Sequence, residues 1–103
     1  MRTSFHPAAA DISLAAVMHA LSDPARLAIV AMLASTDGEI CNHAGTDLDL
    51  HKSTISHHYR VLREAGVTLT TMEGRNRVVR LRTEDLNARF PGLLDAVLAA
   101  LAR

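Results

Sequence analysis

The sequence has no tryptophan, one cysteine, few aromatic residues and no net charge at pH 7. Three aromatics, Phe5, Tyr59 and Phe90, cannot build an interior, so the core must come from the Leu, Ile, Val, Met and Ala that dominate an apolar share of 49%. That palette favours helices. A lone thiol, Cys41, allows no intrachain disulfide, and a reducing cytoplasm is the simplest setting for such a chain. Long hydrophobic runs are also missing. The longest, Leu27 to Ala34, is eight residues, against the roughly 20 that a spanning helix needs, so neither a membrane partner nor a cleavable leader is expected. Zero net charge argues against a nonspecific coat for nucleic acid.

That zero conceals an uneven distribution. Between 51 and 82 there are seven basic residues (Lys52, Arg60, Arg63, Arg75, Arg77, Arg80, Arg82), two acids (Glu64, Glu73) and three histidines. Residues 1–50 hold two arginines against six acids, and 83–103 hold two against three. The distribution therefore says more than the sum. At 103 residues the chain is one domain's worth, and a domain this short leaves much apolar surface exposed unless it pairs. A homodimer is the first expectation.

Residues 1–7 lack periodicity and are expected to form a flexible arm, with 8–103 as one domain. A first helix is expected over 8–21, where Ile12, Leu14, Ala15, Val17, Met18 and Leu21 cover more than one helical face. Asp23-Pro24 opens a second, 24–36, because an Asp side chain can accept from orphan N–H groups and proline is tolerated at the first helical position. Asp37-Gly38 stops it. A short helix near 40–44 and a turn carrying Leu48 and Leu50 follow. The pattern sharpens from His51 to Ala65 and ends at Gly66. Val67, Leu69 and Thr71 then alternate, Glu73 to Asn76 makes a turn, and Val79 and Leu81 alternate again, as in a β-hairpin. Thr83-Glu84-Asp85 opens a last helix with a hydroxyl at the cap and two acids facing the dipole, which Pro91 kinks or restarts. Beyond it Leu93, Leu94, Val97, Leu98 and Leu101 form a stripe too extensive for a short chain to bury alone, expected to meet the first helix across a dimer axis.

At about 100° per residue, Ile55, Tyr59, Leu62 and His58 gather on one side of helix 51–65, with Ser53, Ser56, His57, Arg60 and Glu64 opposite. Short hydroxyls let a helix approach a major groove, while arginine reads guanine and lysine the backbone. The helix N-terminus favours phosphate. An ordinary amphipathic surface helix has the same pattern; the distinguishing feature is the neighbouring hairpin with Arg75, Arg77, Arg80 and Arg82, which suits a wing beside a recognition helix. A solvated basic edge that discourages strand pairing is the competing account, stronger for Arg80 and Arg82 than for the turn arginines.

Three segments, "ALSDPARL", "KSTISHHYRVLREAGV" and "EGRNRVVRL", in this order and spacing resemble the ArsR-type (ArsR/SmtB-like) winged helix-turn-helix transcriptional regulators, over about residues 12–82. The resemblance implies a mainly α fold with a small β-hairpin wing, dimerising through its first and last helices. It implies a dimeric repressor on double-stranded operator DNA, released by a metal ion or another signal. Carried over residue by residue, Lys52, Ser53, Thr54, Ser56, His57 and Arg60 match DNA-facing positions, and Gly74, Arg75 and Arg77 match the wing. Asn76, between two of these, is expected to join the contacts. His58 matches an inward-leaning histidine, in agreement with the wheel, and is expected to be a satisfied buried polar group.

The same resemblance points to "EICNHAG", where Cys41 and His43 occupy the places of two metal-binding cysteines. A thiolate and an imidazole could ligate zinc or a softer metal, but a tight site needs three or four ligands. Thr46 stands where a third cysteine might be, and His6, His19 or a residue of a second subunit would have to complete the shell. No cofactor is therefore expected, with Cys41 and His43 left as weak metal candidates. A carboxylate–histidine site on the last helix, the family's other location, is not expected, because that helix has no histidine. One cysteine also limits redox chemistry to sulfenylation or an intersubunit disulfide. Catalysis by Cys41 and His43 is disfavoured, since a spacing of two on a short helix points them apart and no oxyanion donor is evident. The reading is a sequence-specific DNA-binding regulator; its competitor is a winged-helix protein-interaction module that binds no DNA.

Overall fold

The structure, a computed structural model, describes residues 6–36, 38–40 and 52–102. A 3-10 turn, Ala9–Asp11, leads into α1 (Leu14–Ala20), α2 (Pro24–Ala34), β1 (Glu39–Ile40), α3 (Lys52–Ala65), β2 (Thr68–Glu73), β3 (Asn76–Leu81), α4 (Thr83–Arg89) and α5 (Leu93–Leu101). This is the expected helical body with a hairpin wing. No single helix among the described residues is long and apolar enough to cross a membrane.

The second helix starts where its residues dictate. Asp23 Oδ2 accepts the N–H groups of Ala25 and Arg26 at 2.8 and 3.2 Å, and Pro24 takes the first position, where its missing N–H costs nothing. The first helix differs from expectation. It is interrupted at Ile12 and Ser13, and Ser13 Oγ opens α1 by accepting the Ala16 N–H at 3.1 Å. The interruption has a packing consequence: Ile12, held in extended backbone, turns inward to 1% exposure and lies against Gly66. Gly66 has φ +90, and a Cβ there would stand 2.6 Å from Ile12 Cγ1. Glycine thus both ends α3 in the left-handed conformation and admits the isoleucine.

Ile40, expected to open a short helix, instead forms strand β1 with Glu39, and the two pair antiparallel with Val78 and Val79 of β3. Two residues cannot display an alternating pattern, and their partner is remote in sequence. The sheet order is β1-β3-β2. Strands β2 and β3 run in register from Thr68↔Leu81 to Glu73↔Asn76 around a two-residue turn in which Gly74 has φ +64. The remainder of the helix expected at 40–44, the following turn and Asp37 lie outside the described residues.

The last helical stretch breaks at Phe90-Pro91-Gly92 and restarts as α5, consistent with the expected effect of Pro91. Its opening is a correction. The residue before α4 is Arg82, not Thr83, and no side chain caps the helix; Arg82 instead pairs with Asp85 at 2.9 Å. The leucine stripe is also better absorbed than expected. Leu94 lies in the core with Leu93 and Leu98 packed on it, because α5 lies against α2 and α4 of its own chain. What stays outside is Leu101 on α5 and, on α1, Leu14 and Met18, each about half exposed.

Candidate nucleic-acid interface

Helix α3 presents two chemically distinct faces. Leu62 and Tyr59 are buried against α1 and α2, Ile55 is half-buried, and His58 is 9% exposed. Ser53, Thr54, Ser56, His57, Arg60 and Glu64 are exposed. This is the division that the helical wheel requires. Lys52 is the first residue of the helix.

A buried polar node connects this helix to the α1–α2 turn. Arg26 is only 7% exposed; its Nε donates to the Ala20 carbonyl at 2.7 Å, Nη2 to the His19 carbonyl at 3.4 Å, and Nη1 to His58 Nδ1 at 3.2 Å. A guanidinium only donates, so Nδ1 accepts and the ring hydrogen is assigned to Nε2. That nitrogen faces Asp23 Oδ2 at 4.0 Å. Burial pushes the Asp23 carboxyl up, but the amides of Arg26 and Ala25, with the nearby His58 ring and the Arg26 guanidinium, outweigh it and hold the group below its ordinary value. His58 is thus the satisfied inward histidine that the sequence suggests. Its partner Arg26 was not anticipated: the two lie 32 residues apart.

Between α3 and the hairpin runs an open groove of about 340 Å³, lined by Ser53, Ser56, His57, Tyr59, Arg60, Arg63, Thr70 and Arg77. It brings together five of the sequence candidates: Ser53, Ser56, His57, Arg60 and Arg77. Arg60 Nη2 and His57 Nδ1 are 3.3 Å apart on the exposed face. Thr54 is exposed on α3, and Arg75 and Asn76 are exposed at the wing tip; none of the three lines the groove. Arg63 and Thr70 were missed. Arg63 carried a signal, since it lies one helical turn beyond Arg60. Thr70 carried none, because its place follows from the strand's docking.

The hairpin arginines divide. Arg80 Nη1 contacts Glu73 Oε2 at 2.6 Å, and this bond holds the Glu73 carboxyl below its ordinary range. The Arg82 side chain, 8% exposed, donates from Nε and Nη2 to Asp85 Oδ2 at 3.0 and 2.9 Å and from Nη1 to the Pro7 carbonyl at 2.8 Å. Arg80, on the central strand β3, spans the hairpin to Glu73 of β2 on the solvent side, whereas Arg82 ties the end of the hairpin to α4 and to Pro7. Arg75 and Arg77 stay exposed at and beside the tip.

Of the arm expected at 1–7, His6 and Pro7 are anchored to the wing, His6 through Nε2, which accepts the Thr70 N–H at 3.0 Å. Residues 1–5 lie outside the described residues, as do Cys41, His43 and Thr46. Among the described residues, no three His, Cys, Asp or Glu side chains are grouped to hold a metal ion.

A helix-turn-helix domain family matches residues 21–71. The uncharacterized HTH-type transcriptional regulator YceK of Bacillus subtilis is 37% identical over 84 residues, covering 81% of this chain and 84% of that protein. Among solved structures, a possible transcriptional regulator for arsenical resistance is 30% identical, with 87% of this chain and 95% of that one covered and a TM-score of 0.64. A homodimeric winged helix-turn-helix DNA-binding domain from Mycobacterium bovis, a possible ArsR-family regulator, is 26% identical over 86% of this chain and 81% of that one, with a TM-score of 0.67. With the two-faced α3, the adjoining wing and these relatives in agreement, the chain belongs to the ArsR-type family of winged helix-turn-helix transcriptional regulators.

Proposed function

We propose that this protein is a cytoplasmic homodimeric repressor that binds double-stranded operator DNA sequence-specifically and is released by a signal. Residues 8–103 act as one domain. Ser53, Thr54, Ser56, His57 and Arg60 of α3 enter the major groove with Lys52 at the helix start, and Arg75, Asn76 and Arg77 of the wing contact the flanking backbone or minor groove. The observation that carries this reading is the groove lined by Arg60 of α3 and Arg77 of the wing together with Ser53 and Ser56. This pairing of a polar, basic helix face with a cationic wing suits a duplex, and an ordinary amphipathic helix lacks it. Dimerisation is supported by the homodimeric relative and by the apolar Leu14, Met18 and Leu101 left at the surface. The two recognition helices would then stand one turn of DNA apart, roughly 34 Å, and the operator would be an imperfect palindrome. A metal ion acting through Cys41 and His43 is one candidate for the signal.

Selection of bound sequences from a random duplex pool, with and without added metals or reductant, tests the reading. Arg60→Ala should weaken binding to the selected sequence more than to random DNA. Arg75→Ala should lower affinity for every sequence and flatten its salt dependence. Equal losses on both DNAs for Arg60→Ala would overturn the base-reading assignment. Failure of any duplex to shift at low salt would turn the reading toward a protein-docking winged helix.

A further inference from the structure

Residues 6–12 run from β2 of the wing to the end of α3, with α4 alongside, held by four separate contacts. His6 Nε2 accepts the Thr70 N–H at 3.0 Å, the Pro7 carbonyl accepts Arg82 Nη1 at 2.8 Å, and the Ile12 carbonyl accepts Arg89 Nη2 at 2.7 Å. The fourth is the Ile12 side chain, seated on Gly66 between α3 and β2. Thr70 belongs to β2, an outer strand of the sheet, and also lines the groove with Arg60 and Arg77. An outward N–H on such a strand has no ladder partner, and the imidazole supplies one.

We propose that residues 6–12 form a strap that sets the pitch of the wing against α3, with His6 as its titratable latch and so a positioning residue for the DNA contacts. The inference rests on the DNA-binding reading above. An imidazole accepts through Nε2 only while that nitrogen keeps its lone pair; the protonated ring donates from both nitrogens and would oppose N–H to N–H. The charged groups that face His6 are Arg63 from α3 and Arg82 ahead of α4, the latter paired with Asp85. Burial first, then these two cations, hold the imidazole below its ordinary value of 6.5. The latch is therefore closed at neutral pH. Its contribution is complete above about 6.5 and lost as pH falls through the lower folded value.

Two measurements on the full chain test this between about pH 7.5 and about pH 5, the range in which histidines titrate. One is hydrogen exchange of the Thr70 amide, corrected for intrinsic rate; the other is affinity for a mixed-sequence duplex at low salt. His6→Gln retains a side-chain acceptor that does not titrate, and His6→Ala has none. In the unsubstituted protein Thr70 protection should fall roughly fivefold as pH drops, in step with the His6 ring resonances, as expected for one lost hydrogen bond. Its duplex affinity relative to that of His6→Gln should fall by a similar factor, and His6→Ala should be weak throughout. Thr70 protection that is the same in all three proteins and flat with pH would overturn the latch. Matching pH profiles of duplex affinity in the unsubstituted protein and His6→Gln would overturn its positioning role. If none of the three binds the duplex while Thr70 protection still titrates with His6, the strap stands and the DNA-binding reading fails.

Discussion

Two adjacent histidines on α3 each meet an arginine at almost the same distance, 3.3 Å for His57 with Arg60 and 3.2 Å for His58 with Arg26. Their surroundings are opposite. His58 and Arg26 are both less than one-tenth exposed, whereas His57 and Arg60 face solvent. In the buried pair water cannot replace a lost partner, so the contact is part of the fold. In the exposed pair water or a phosphate can take either place at little cost, which leaves the side chains available to a ligand. Burial, and not the chemical identity of the pair, decides which histidine holds the helix and which is offered outward.

The largest expected effect tests the buried side. Arg26→Ala should destabilise by about 3 kcal/mol in denaturant unfolding, because it leaves His58 Nδ1 and the Ala20 carbonyl without their donor and opens a void. A loss below about 1 kcal/mol would break the contrast, because that is the size of an ordinary neutral hydrogen bond. On the exposed side, Arg60→Ala should leave unfolding free energy within about 0.5 kcal/mol. Its affinity for a selected operator should nevertheless fall by about 2 kcal/mol, a typical value for one base-reading arginine. Loss of stability without loss of binding would reverse the two roles.

Asp23 sharpens the comparison, because it caps α2 and also faces His58. Asp23→Ala should cost about 1 kcal/mol at neutral pH by thermal or denaturant unfolding. The folded carboxyl lies below its ordinary value of 3.8, so its contribution is present above that value and is lost as pH falls through the lower folded value. The difference between the two proteins should close over that acid range. The smallest effect is expected at Thr68, which is fully buried with a hydroxyl that has no hydrogen-bond partner among the described residues. Thr68→Val removes the desolvated hydroxyl at constant shape and should stabilise by up to about 1 kcal/mol. A loss of that size instead would show that the hydroxyl has a partner.

Much of the candidate site is legible in sequence because its signals are local. The two faces of α3, the Asp23-Pro24 start, the alternation through the hairpin and the restart after Pro91 each depend on residues within a turn or two of one another. Most misreadings share a different origin. The first helix breaks so that Ile12 can reach Gly66, and β1 exists only because β3 lies beside it. Arg80 and Arg82 are a separate case, because their partners Glu73 and Asp85 lie close by in sequence and the pairs were simply not recognised. His6 and Pro7, at the end of a segment with no periodicity, become anchored through contacts to residues 64 and 75 positions away.

The order of amino acids by itself determined the hairpin, the start of α2 and the outward stripe of α3, because backbone propensity and the helical and strand repeats act between near neighbours. Tertiary structure alone decided which arginines remain exposed, which histidine is sealed against Arg26, and where the strap crosses the wing. Those outcomes depend on what surrounds a polar group once water is removed, and burying such a group unpaired costs more than local propensity can repay.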